Sequence, residues 1–270
     1  MNLQLLGIDF TSAPTRRKPI TVARGTLVGS RLALQRVDAL DDFTAFEALL
    51  REPGPWLGAF DFPFGLPREL VEALDWPREW LALMQHYAAL SRADIRQRFA
   101  AFCAERPVGG KFAHRACDIP AGSSPSMKWV NPPVAYMLHA GVPRLIDAGV
   151  HLPTLHVGDS KRTALEAYPG LLARELIGAR SYKSDDKAKQ TPERLIARKD
   201  LLETLAQGRS RLGVRVAMSH AQRDALAADA GGDRLDALLC LVQAAWASTR
   251  ADHGLPPGVD PLEGWIVSAV

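Results

Sequence analysis

Cysteine is scarce in this chain of 270 residues: Cys103, Cys117 and Cys240 are odd in number and far apart. Such usage points to neither a disulfide framework nor a cysteine-built zinc site. Long apolar runs are missing as well. No stretch reaches the ~20 residues that cross a bilayer, and no basic segment leads into a signal-peptide core; the expectation is no membrane partner and a cytoplasmic location. Charge of one sign is also lacking, because 33 Lys and Arg stand against 30 Asp and Glu, a net +3. That excess is too small to argue for nucleic-acid binding by itself. Neither a P-loop, a complete G-x-G-x-x-G nor a G-x-S-x-G elbow is present. Low-complexity linkers and internal repeats are missing too, so residues 1–270 read as one elaborated α/β domain.

What is there begins with an apolar run, Leu3 to Phe10, broken by Gly7 and ending in Asp9 before Thr11, Ser12 and Pro14. A run this short with a carboxylate at its exit reads as a buried strand that delivers Asp9 to a surface. Taken alone, such an aspartate more often only hydrogen-bonds its own turn. Ile20–Gly29 and Arg31–Val37 are β-rich and joined at Gly29-Ser30, which predicts a hairpin. Phe43, Phe46, Leu49 and Leu50 recur at helical spacing up to Pro53-Gly54. Trp56–Phe62 is the fourth strand and carries Asp61 near its end.

Residues 68–106 read as helices interrupted at Trp76-Pro77, and a glycine- and proline-rich loop follows from 107 to 133. Together they form a helical and loop insertion, at about 68–133, after strand four; a loop this long is usually functional or disordered. Val134–Asp147 is helical. Thr163–Ala167 is a short strand bearing Glu166, with Pro169 where a helix begins. Arg180–Gln190 reads as a mobile polar loop and Pro192–Ala206 as a helix. Residues 231–249 form the strongest helix, with a stripe of Leu235, Leu238, Leu239, Val242, Ala245 and Trp246.

Asp233 and Asp236, three apart at the start of that helix, share a face. If the strands that deliver Asp9, Asp61 and Glu166 are neighbours and this helix packs across them, four or five carboxylates converge. Such groups repel and lose solvation, so they persist where cations neutralise them. Oxygen ligands without cysteine or paired histidines favour Mg2+ or Mn2+ over zinc. The competing reading of Asp233 and Asp236, which follow Gly231-Gly232, is a capping box that only stabilises the helix start.

The βββαβ start with Asp9 and Asp61, and the late D-x-x-D of Asp233 and Asp236, resemble the ribonuclease H-like superfamily, most of all its Holliday-junction resolvase arrangement. GIDFTSAP, AFDFPFGLP, LEAYPGLLARE and DRLDALLCLVQAAWA are similar to domain-of-unknown-function family 429, whose members are described as predicted nucleases, over nearly the whole chain. The resemblance implies a mixed sheet, three antiparallel strands then parallel ones, flanked by helices. It also implies a divalent-metal site at Asp9, Asp61, Asp233 and Asp236, with Glu166 matching the family's acid-before-proline motif. The insertion departs from the minimal fold.

Lys111, His114, Arg115 and Lys128 in the insertion loop, and Lys183, Lys187 and Lys189 in the polar loop, are candidates for phosphate contact. Exposed lysines are more often plain solvated surface. The expected activity is two-metal hydrolysis of a phosphodiester, with nucleic acid, DNA or RNA, as the substrate. Asp9, Asp61, Asp233, Asp236 and Glu166 are the expected catalytic residues. Two alternatives remain open: an ATP-dependent kinase or ATPase of the actin and hexokinase type, whose first phosphate loop looks like GIDFTS, and a non-catalytic module that binds nucleic acid or protein.

Overall fold

In the computed structural model, which describes residues 3–269, β1 (Gln4–Asp9) runs antiparallel to β2 (Ile20–Val28), and β2 runs antiparallel to β3 (Arg31–Leu40). Gly29 turns this hairpin with φ 60°. On its other side β1 pairs in parallel with β4 (Trp56–Phe60), and β4 with β6 (Asp159–Glu166). Two short strands, β5 (Val150–His151) and β7 (Arg215–Ala217), close the edges in the order β5-β6-β4-β1-β2-β3-β7. The sheet is therefore mixed: β2 runs antiparallel to both of its neighbours, and every other pairing, β3 with β7 included, is parallel.

Strand alternation sorts the side chains onto two faces. Leu6 and Ile8 of β1 and Phe60 of β4 join one core, while Leu5 of β1 and Leu57 and Ala59 of β4 join the other. The first core is covered by α1 (Phe43–Leu50), α2 (Arg68–Ala73), α3 (Trp80–Ala88), α4 (Arg92–Ala104) and α6 (Val134–Asp147). Between α4 and α6 the chain makes only the short α5 (Asp118–Ala121). The second core is covered by α7 (Pro169–Ile177), α8 (Pro192–Gln207), α9 (His220–Ala228) and α10 (Asp233–Ala247). Among the described residues no helix is long and apolar enough to cross a membrane.

The helix α10 is the central one. Every residue from Leu235 to Ala245 is buried, including Asp236 and Gln243, while Trp246, expected in the stripe, is only partly covered. A helix buried on all sides lies between layers rather than upon one. Gly7 makes that placement possible: a Cβ there would stand 2.1 Å from the Ala237 carbonyl oxygen and 2.1 Å from the Leu241 nitrogen. The backbone of α10 thus rests directly on β1, two residues before Asp9.

Candidate metal centre

Asp9 has the parity of Leu5 and Gly7, so it faces α10. Asp61 has the parity of Leu57 and Ala59 and faces the same side. Its backbone N–H donates to the Ile8 carbonyl at 2.9 Å, which ties the exit of β4 to the exit of β1. Because α10 touches β1 at Gly7, its first turn lies over these two exits and supplies Asp236. Carboxylate oxygens of Asp9, Asp61 and Asp236 lie within 4.8 Å of one another. Three residues 52 and 175 positions apart in sequence become one cluster because two parallel neighbours end at the same level under one helix.

The electrostatics of this cluster are those of crowded acids. Burial pushes the Asp9 carboxyl well above its ordinary range, and Asp236, Asp233 and Asp61 push it further, against the pull of Lys183. Burial and then Asp236 raise Asp61 to about 7, again against Lys183. Each group would give up its proton more readily beside a divalent cation. The chain supplies one cation of its own: the Lys183 ammonium donates to Asp236, although 42% of the Lys183 side chain stays exposed. Burial works against that charge, and Asp236 and Asp9 outweigh it, so the ammonium is held protonated. One positive charge stands among three carboxylates.

Asp233 is one step removed. Its carboxylate accepts from the Lys18 ammonium at 2.7 Å, and Lys18 also reaches Asp185 at 2.9 Å. Asp233 still raises Asp9, and its own carboxyl is raised by burial against the hydrogen bond from Lys18. The capping-box reading of the aspartate pair does not match the contacts. Gly232 occupies the N-cap without a side-chain bond, and the Arg234 N–H donates to Asp229 at 2.9 Å.

Glu166 ends β6 level with Phe60 of β4 but has the parity of Ala164, which belongs to the opposite core from Leu165 and Ala167. Its carboxylate therefore points away from α10. It accepts from both terminal nitrogens of Arg115, at 2.7 and 2.6 Å, and from the Phe64 N–H at 2.9 Å. Arg115, expected to meet phosphates from a surface loop, is instead 2% exposed. It spends its Nε and remaining N–H groups on Asp118 (3.2 and 2.9 Å) and the Glu263 carbonyl (3.0 Å). All five donors of the guanidinium are taken. This acid-arginine-acid group fastens the 107–133 loop to the strand ends, and that loop is neither disordered nor free. Lys111 and His114 are exposed and Lys128 is half-buried, and none of the three lines the cavities beside Asp61.

The loop expected to be mobile, 180–190, is pinned at its start. Tyr182 is buried, donates its hydroxyl to Asp236 and offers its carbonyl to Arg198 at 2.8 Å. Burial and then Asp236 raise the Tyr182 hydroxyl well above its ordinary value, so it stays a donor. Lys187 and Lys189 are exposed in a short 3-10 turn. Sequence reasoning passed over Tyr182 and Lys18. The available signal was that Tyr182 is the one aromatic residue in RSYKSDDKAKQ. A cavity of about 590 Å3 between residues 151–154 and 252–259 contains none of Asp9, Asp61, Asp233, Asp236 and Glu166.

No family model, curated protein or solved structure matches the chain.

Proposed function

We propose that this chain is a divalent-metal-dependent nuclease with a ribonuclease H-like fold, acting on phosphodiester bonds of nucleic acid. The observation that carries the reading is the convergence of half-buried Asp9 and Asp61 with buried Asp236 within 4.8 Å. Three carboxylates held this close, with raised proton affinities at two of them, form an all-oxygen donor set short of positive charge. Such a set fits Mg2+ or Mn2+ better than a softer metal. Asp9, Asp61 and Asp236 would hold one ion, and Asp233 together with Asp9 a second, once Lys18 turns from Asp233. When bound, such ions supply an activated water and stabilise the leaving oxygen of a phosphodiester.

The chain's own residues orient this chemistry. Tyr182 fixes Asp236 through its hydroxyl, Lys183 offers a cation at the cluster's edge for a substrate phosphate, and the Asp61 N–H bond to Ile8 holds two ligands in register. Glu166 and Arg115 brace the strand ends without touching the reacting group. The antiparallel β1-β2-β3 unit, followed by parallel β4 and a late helix bearing the final acid, supports the ribonuclease H-like assignment.

Calorimetric titration with Mn2+, alongside cleavage of labelled DNA and RNA, tests the reading. The Asp9→Asn variant is expected to lose tight Mn2+ binding and cleavage together, and undiminished Mn2+ binding in that variant would sink the proposal.

A further inference from the structure

We propose that the substrate strand presents one unpaired nucleotide at the reacting phosphate, its base seated in the cavity beside Asp61. This rests on the metal-centre reading above and concerns which nucleic acid the centre serves. Two cavities meet at a ridge formed by Asp61, Tyr168 and Lys183. The first, about 420 Å3, is walled by Phe62, Val134, Met137 and Ile266, with Ser123 and Ser124 among its lining residues. The second, about 440 Å3, lies on the α7 side and adds Arg174 and Arg180 to Lys183.

The chemistry of the two cavities divides a nucleotide between them. The floor of the first contains Arg115 and Glu166, but every donor of Arg115 is already used by Glu166, Asp118 and Glu263. Away from Lys183 on the shared ridge, no cation is left there for a phosphate. Apolar walls and serine hydroxyls instead suit a flat, neutral base, whose faces are apolar and whose edge is polar. On the other side, the Arg180 pair with Asp200 is half exposed and therefore weak enough to exchange for a phosphate. The backbone of the strand would follow these cations, cross the ridge at Asp61 and turn its base into the first cavity. A base in a duplex is stacked and paired, so it reaches such a pocket only by leaving the helix. The substrate class is accordingly a single strand, a flap or a bulge rather than a continuous duplex.

Fluorescence anisotropy with Ca2+ as the bound ion tests this on the whole wild-type protein, using one labelled sequence as a single strand, a fully paired duplex and a duplex with a one-base bulge. The single strand and the bulge are expected to bind about tenfold more tightly than the duplex, and an abasic bulge to lose about that factor. Equal affinity for the paired, bulged and abasic duplexes overturns the proposal. Ser124→Trp, which fills the cavity, should erase the preference while Mn2+ titrates as in the wild type; a preference that survives in the folded variant also overturns it. Loss of the metal reading would show differently, as unchanged Mn2+ binding in Asp9→Asn.

Discussion

Replacing Asp61 by Asn should stabilise this protein at pH 8 when divalent ions are chelated. In the folded chain burial and Asp236 raise the Asp61 carboxyl from its ordinary 3.8 to about 7. The folded state therefore keeps a proton that the unfolded chain has already released. Stability from that proton is complete below about pH 4 and is lost as the pH rises through about 7. At about 1.36 kcal/mol for each pH unit, the gap sets a ceiling of about 4 kcal/mol. The carboxylate is partly open to solvent, which reduces the figure to about 2 kcal/mol. Asp9 is displaced in the same direction, so the protons belong to the cluster as a unit.

Urea unfolding in EDTA, followed by tryptophan fluorescence at pH 5 and pH 8, measures the effect. Because about a third of the loss has already occurred by pH 5, wild type should lose about 1 kcal/mol more than Asp61→Asn between the two values. The order should reverse with excess Mn2+, because the ion binds the ionised cluster and adds its binding energy to the folded state. If Asp61→Asn is the less stable protein at pH 8 in EDTA, the picture of repelling, desolvated carboxylates is wrong.

Gly7→Ala should cost about 3 kcal/mol and weaken Mn2+ binding as well, since a methyl group at 2.1 Å from the α10 backbone must lift Asp236 from Asp9; thermal melting and calorimetry check both, and a variant with native melting and affinity would refute the direct contact. Arg115→Met leaves the Asp118 and Glu166 carboxylates buried without their cation, and should lose about 3–5 kcal/mol in urea unfolding. Glu166→Gln should keep its Mn2+ affinity and most of its cleavage rate. A folded Glu166→Gln variant with no cleavage would restore the catalytic role expected from the sequence.

The amino-acid sequence alone determined the strands and helices that carry the acids. Period-two parity in LQLLGID places Asp9 with Leu5 and Gly7, the Gly29-Ser30 turn sets the hairpin, and the apolar density of residues 235–245 requires a buried helix. Tertiary structure decided which acids meet. Asp233 and Asp236 share one helical face in the chain, and only the seating of α10 on Gly7 sends Asp236 to the cluster and leaves Asp233 to Lys18. Glu166 could not be assigned to a face from its strand, because a parallel strand buried on both sides shows no apolar alternation; its neighbours Ala164 and Leu165 enter opposite cores. The strands β5 and β7, of two and three residues, left no local pattern at all, since their pairing comes from distant partners. Tyr182 and Lys183 entered the centre for the same reason: a polar loop is drawn in by carboxylates that the chain assembles only once the sheet and α10 are in contact.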